Sequence, residues 1–234
     1  MRSAAFDLLL ILAVPAIMLL LFALGLQQSA LALLASVGAV LVLFFANYER
    51  SRPALRQIMP TLVLAALAAA GRILFAPVPD FKPVSAIAII AGAALGCRAG
   101  FLVGALAALT SNFFFGQGMW TPWQMYAWGL VGYLGGAIAR TGVFVRPNGS
   151  PRRFALATTG LLSGLIYGAV INAYDVLAFV KPLTWEGAAL RVAASLPFDA
   201  MHGVATAVFL LVLYVPWTRR IDRVVRKFDL RGRD

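Results

Sequence analysis

Eight apolar runs follow one another along this chain of 234 residues, at about 8–26, 30–47, 58–76, 84–96, 99–115, 123–139, 154–175 and 191–216. A run of about 20 apolar residues crosses the roughly 30 Å hydrocarbon core of a bilayer, and backbone polar groups in lipid are satisfied only inside helices or closed barrels. The fold expected is therefore all-α and integral to a membrane, with about eight transmembrane helices. The fourth run is short for a span, and Arg72 interrupts the third. Composition agrees: 62% of residues are hydrophobic and 12% charged, whereas about a quarter of an ordinary soluble domain is charged.

The arginines set the orientation, because basic loops are retained in the cytoplasm. With the N-terminus inside, sixteen Lys and Arg residues fall on the inner side, among them Arg50, Arg52, Arg98, Arg140 and the run from Arg219 to Arg233. Lys82, Lys181 and Arg191 fall outside, and Arg72 lies within a span. Both termini are then cytoplasmic. The net charge of +11 follows from topology and anionic inner-leaflet lipid rather than from nucleic-acid binding, since the basic residues are scattered over every inner loop. The first run is longer than a signal-peptide core and is followed at once by another span, so it reads as a retained helix.

Other chemistry is excluded by what is missing. Cys97 is alone, so no intrachain disulfide forms. One histidine rules out a multi-His metal centre. No GxxxxGK[ST] loop is present, so the chain does not cradle nucleotide phosphates in the usual way. No bound catalytic cofactor is expected.

The polar stretch Asn47–Gln57 divides the chain. Residues 1–48 form a two-span hairpin with almost no buried polar groups, suited to packing or anchoring. Residues 58–217 hold six spans, and residues 218–234 read as a basic amphipathic tail along the inner surface or against a partner.

Polar side chains appear inside the apolar runs of the six-span part alone: Arg72, Asn112, Asn172, Asp175, Asp199 and His202. An ionisable group in a span costs several kcal/mol unless it faces a bundle interior or a wet cavity, which makes each a functional candidate. Arg72 and Asn112 stand near the outer ends of their runs, and Asn172 and Asp175 at the outer end of the seventh. Asp199 and His202 lie about 12 to 16 Å into the eighth, at 1.5 Å per residue. Such a distribution describes a pocket open to the outside. Asn172 with Asp175 and Asp199 with His202 are i,i+3 pairs sharing a helix face, and Pro197 is placed to bend the helix beside them.

Between the fifth and sixth runs lies SNFFFGQGMWTPWQ, residues 111–124. Interfacial tryptophans need only headgroup depth, but this stretch also carries glycines that permit close backbone approach and amides that hydrogen-bond. Gln117, Trp120 and Trp123 are its candidate ligand contacts. In the third run Ala65 with Ala69, and Ala66 with Ala70, make small-xxx-small faces that let another helix approach closely.

The six-span part from Pro60 to Trp217 resembles the substrate-binding S components of energy-coupling-factor (ECF) vitamin transporters. The likeness rests on the alanine-rich third run, the following PVPDFKPVSAIAIIAGAALGCRAGFLVGALAALTSNFFFGQGMWTPWQM and the helix order after it. It implies a bacterial cytoplasmic-membrane subunit without ATPase chemistry of its own. Its partners would be a transmembrane coupling subunit, docked through Ala65 and Ala69, and two ATPase subunits. Residues 77–83 would cap the substrate from outside. The NFFFGQGMWTPWQ stretch looks most like the cobalamin-linked members, which implies a corrinoid ligand. The N-terminal hairpin departs from the six-span pattern.

Three alternatives stand beside this one: an S component for another vitamin, a stand-alone carrier or channel, and a rhomboid-like intramembrane protease. The last would use Ser163 and His202 as a dyad with Asn112 as oxyanion donor, but Gly160-Leu-Leu-Ser163-Gly164 misses the Gly-x-Ser-Gly spacing by one residue.

Overall fold

The computed structural model describes residues 2–26, 34–39, 41 and 55–228. Seven long helices order these residues: α1 Arg2–Ala23, α2 Leu55–Leu74, α3 Val84–Leu95, α4 Cys97–Phe115, α5 Trp120–Arg140, α6 Arg153–Phe179 and α7 Trp185–Lys227. Residues 34–39 are also helical. There is no β-strand among the described residues, only an isolated bridge between Val145 and Pro151. The rest of the second hairpin run lies outside the described residues, as do Arg50, Arg52 and the last residues of the tail.

Helices α4, α6 and α7 are long and apolar enough to cross a membrane, and α2, α3 and the second half of α1 hold shorter apolar segments. The protein is thus all-helical with membrane-spanning character. Two expectations change. Helix α3 has 12 residues, about 18 Å at 1.5 Å per residue, too short to span; Val84 to Gly92 are all buried, so it is a core helix. Helix α7 runs through Pro197 and Pro216 to Lys227, so most of the expected separate tail continues the last helix. Its apolar residues explain why: Trp217 and Ile221 pack on the bundle core and Val225 is buried.

Helix ends are set locally. Gly96, at φ 100°, separates α3 from α4 with a single residue, and Gly116, at φ 95°, ends α4, in backbone conformations that L side chains rarely adopt. Thr184 caps α7 by accepting a hydrogen bond from the Gly187 N–H.

Helices α3, α4 and α5 form a mutually packed unit, with α2 lying on α3 and α4, α6 on α5, and α7 on α6 and α3. At the α4–α5 crossing, a Cβ on Gly132 would lie 2.2 Å from the Gly100 carbonyl oxygen. Only glycine permits that approach of two backbones. One apolar cluster joins Val14 and Met18 of α1 to Leu64, Ala68, Phe101 and Trp128; a second centres on Ile89, Ile90, Phe144, Leu156 and Leu210.

Candidate ligand-binding site

The intramembrane polar residues gather at the end of the bundle where α2, α4 and α6 finish and α5 begins. Arg72, in the last turn of α2, is half-buried, and its Nη1 donates to Ser111 Oγ and Asn112 Oδ1, both at 2.6 Å. Its guanidinium also lies over the rings of Phe115, at 4.6 Å, and Trp128, at 4.8 Å. Charge-assisted hydrogen bonds contribute about 1.5–3 kcal/mol each and cation–π contacts about 0.5–2. Together they offset a burial cost of about 3 kcal/mol for a cation in a span. Among the described residues Arg72 is therefore held without a carboxylate.

Asn112, fully buried, passes the network on: its Nδ2 donates to Thr121 Oγ1 at 3.1 Å and Gln124 Oε1 at 2.9 Å. Thr121 donates to Gln117 Oε1, and Gln117 Nε2 reaches back to the Leu109 carbonyl. Residues 111–124 are thus folded on themselves by side-chain bonds rather than left as an open loop. Phe113 and Phe114 stand outward, at 76% and 73% exposure.

Trp120 and Trp123 point elsewhere. With Met18, Phe22, Tyr174 and Lys181 they line a cavity of about 230 Å³ between α1, α5 and α6. Trp123 packs against Tyr174 at 5.9 Å, and the Lys181 ammonium lies over Phe22.

The two i,i+3 pairs separate. His202 is buried, with Nε2 at 2.7 Å from Ser85 Oγ, and its ring stacks on Tyr167 at 4.4 Å and Trp128 at 6.5 Å. Asp199 faces α6 instead, accepting from Asn172 Nδ2 and Ser195 Oγ, each at 3.1 Å. Near the helix ends the half-buried Asp175 pairs with the exposed Arg191 at 2.5 Å. At 100° per residue, side chains three apart diverge by about 60°, enough to meet different neighbours.

Ala65 and Ala69, expected to dock a partner subunit, are buried within the chain at 5% and 3% exposure, while Ala66 and Ala70 are exposed. The small face with room for a partner is the second pair. Nor does the Ser163 and His202 dyad form: the Ser163 hydroxyl donates to the Gly160 carbonyl of its own helix, and His202 bonds Ser85.

The connection from α2 to α3 covers this end. Lys82 Nζ donates to the Phe75 carbonyl at 2.5 Å and to that of Val78, while Phe75 and Phe81 pack on Phe209 of α7. Burial pushes the Asp80 carboxyl above its ordinary range; Lys82 opposes that and Asp199 adds to it. Burial lowers the Lys82 ammonium, with Asp80 opposing and Arg72 adding.

Residue patterning missed Ser85, Tyr167 and Ser195, and did not single out Ser111, Thr121, Gln124 or Trp128 as site residues. Small hydroxyls and single aromatics inside apolar runs carry no periodic signal, and only the fold brings them to Arg72, Asp199 and His202. Among the described residues no cluster of three or more His, Cys, Asp or Glu suits a metal.

No curated protein and no solved structure matches the chain. One family profile matches residues 52–221, which take in all of α2 to α6 and α7 as far as Ile221 and leave out the N-terminal hairpin. The chain belongs to that family, the Family of unknown function (DUF6580).

Proposed function

We propose that the protein is the high-affinity vitamin-binding S component of an ECF-type importer in a bacterial cytoplasmic membrane. The observation that carries this reading is the convergence of Arg72, Asn112, Asn172 and Asp199 with Phe115, Trp128 and Tyr167 at one end of an otherwise apolar bundle. Charges and amides against flat rings bind a polar, conjugated solute; a purely structural bundle has no need of them. The cap made by residues 75–83 supports capture from the same side.

A corrinoid is the proposed ligand, on the likeness of the NFFFGQGMWTPWQ stretch to the cobalamin-linked members. Energy comes from the coupling subunit and two ATPase subunits. Docking uses the outward face of α2, where Ala66 and Ala70 lie exposed. Purified full-length protein is expected to bind one of cobalamin, riboflavin, biotin or a queuosine precursor at sub-micromolar concentration; binding of riboflavin, biotin or the precursor in place of cobalamin rejects the corrinoid, and binding of none rejects the reading. Ala66→Trp or Ala70→Trp is expected to abolish ATP-driven uptake while leaving binding intact.

A further inference from the structure

We infer that the site takes an amphoteric ligand: its anionic group lies against Arg72 and the Trp128 Nε1, and its cationic group against Asp199. This rests on the ligand-binding reading above and narrows its substrate class.

The first observation is how charge is handled. Near the helix ends the half-buried Asp175 pairs with the exposed Arg191 at 2.5 Å. Arg72 and Asp199, where attraction is likewise screened less than at a free surface, are not ion-paired among the described residues. Among the described residues Arg72 has only the neutral acceptors of Ser111 and Asn112, and Asp199 only the neutral donors of Asn172 and Ser195. Both are half-buried. If these charges served only to bind helices together, pairing them would cost less than keeping them apart.

A second, independent observation concerns Trp128. Its indole is 3% exposed, and its Nε1 is buried without a hydrogen-bond partner. A buried donor left unbonded is destabilising, and the Arg72 guanidinium lies over the same ring. A guanidinium and a spare N–H together suit an oxyanion.

The route from one charge to the other is aromatic. Trp128 packs on Tyr167 at 4.8 Å. The next residue, Gly168, lacks the Cβ that would lie 2.3 Å from the Asp199 carboxyl carbon, so the carboxylate sits directly against α6 beside Tyr167.

The test follows the intrinsic tryptophan fluorescence of purified full-length protein in detergent, titrated with para-aminomethylbenzoate and its two-ring biphenyl homologue. Para-toluate serves as the acid-only control and benzylamine as the amine-only control, each with its biphenyl counterpart. The better amphoteric probe is expected to bind at least about tenfold more tightly than either single-charge control of the same length. Asp199→Asn is expected to reduce it to the acid-only level and Arg72→Gln to the amine-only level, while Arg72→Lys keeps the preference. Equal or tighter binding of a single-charge control overturns the inference, as does absence of saturable binding up to about 10 mM. The wild-type ranking decides the matter even where a variant misfolds. Vitamin binding with a failed ranking sinks the inference alone; failure of both vitamins and probes sinks the transport reading too.

Discussion

At Gly100 and Gly132 a missing Cβ lets backbone meet backbone, whereas at Gly168 it lets a helix meet a carboxylate. The first contact lies in the α3–α5 unit, where Phe101, Met125 and Val131 are buried around it. The second lies in the α6–α7 pair, whose outward faces carry exposed Leu161, Leu165, Phe198 and Val212. The same device therefore serves two ends. In one it excludes everything but neighbouring backbone and fixes a rigid scaffold; in the other it makes room for Asp199, a charge with no cationic partner among the described residues.

Four substitutions break or sharpen this contrast. Gly132→Ala carries the largest effect, because its Cβ would meet the Gly100 carbonyl and no flexible side chain can move aside. Overpacking of that kind costs about 3 kcal/mol; thermal unfolding of purified protein is expected to fall clearly, and an unchanged midpoint would mean the scaffold is not rigid there. Asn112→Leu comes next. It removes one of two acceptors from Arg72 and strips Gln124 and Thr121 of a donor, at about 2 kcal/mol. Ligand affinity is expected to fall with it, and an unaltered affinity would detach the network from the site.

Gly168→Ala reverses the balance between stability and binding. The atoms in its way are the far end of the Asp199 side chain, which can rotate, so stability is expected to drop by less than about 1 kcal/mol. Ligand affinity is expected to drop about tenfold. Equal damage to both would show that the two glycine contacts are alike after all.

The smallest effect is at Asp80, in the cap. Burial, aided by Asp199 and opposed by Lys82, raises its carboxyl in the folded protein. The folded state then holds this proton more tightly than the unfolded chain, so stability falls as pH rises above the ordinary carboxylate value. Asp80→Asn removes that loss and keeps a residue tolerant of the backbone there, at φ 50°. It is expected to raise the unfolding midpoint modestly at neutral pH and to leave it unchanged near pH 3; the same gain at both values would contradict the assignment.

Much of the architecture was legible because long apolar runs leave few alternatives: α4 and α6 start and stop within a few residues of their runs. Helix α3 was misread, since twelve apolar residues in a core look like a short span. The extent of α7 was hidden by the change from apolar to basic composition, although Trp217, Ile221 and Val225 keep a helical spacing. Composition named Arg72, Asn112, Asn172 and Asp199, because polar groups stand out in lipid. It did not name their neighbours, nor which alanine face of α2 turns inward, since both faces of that helix are small and apolar alike.

The account stands or falls on ligand capture at the Arg72 end of the bundle. Equilibrium titration of purified full-length protein and of Arg72→Gln with cobalamin, riboflavin, biotin and the queuosine precursor tests it most directly. The predicted result is saturable sub-micromolar binding of one vitamin by the native chain, lost in a variant that still folds. Native affinity retained in Arg72→Gln, or no binding by the native chain, would contradict it.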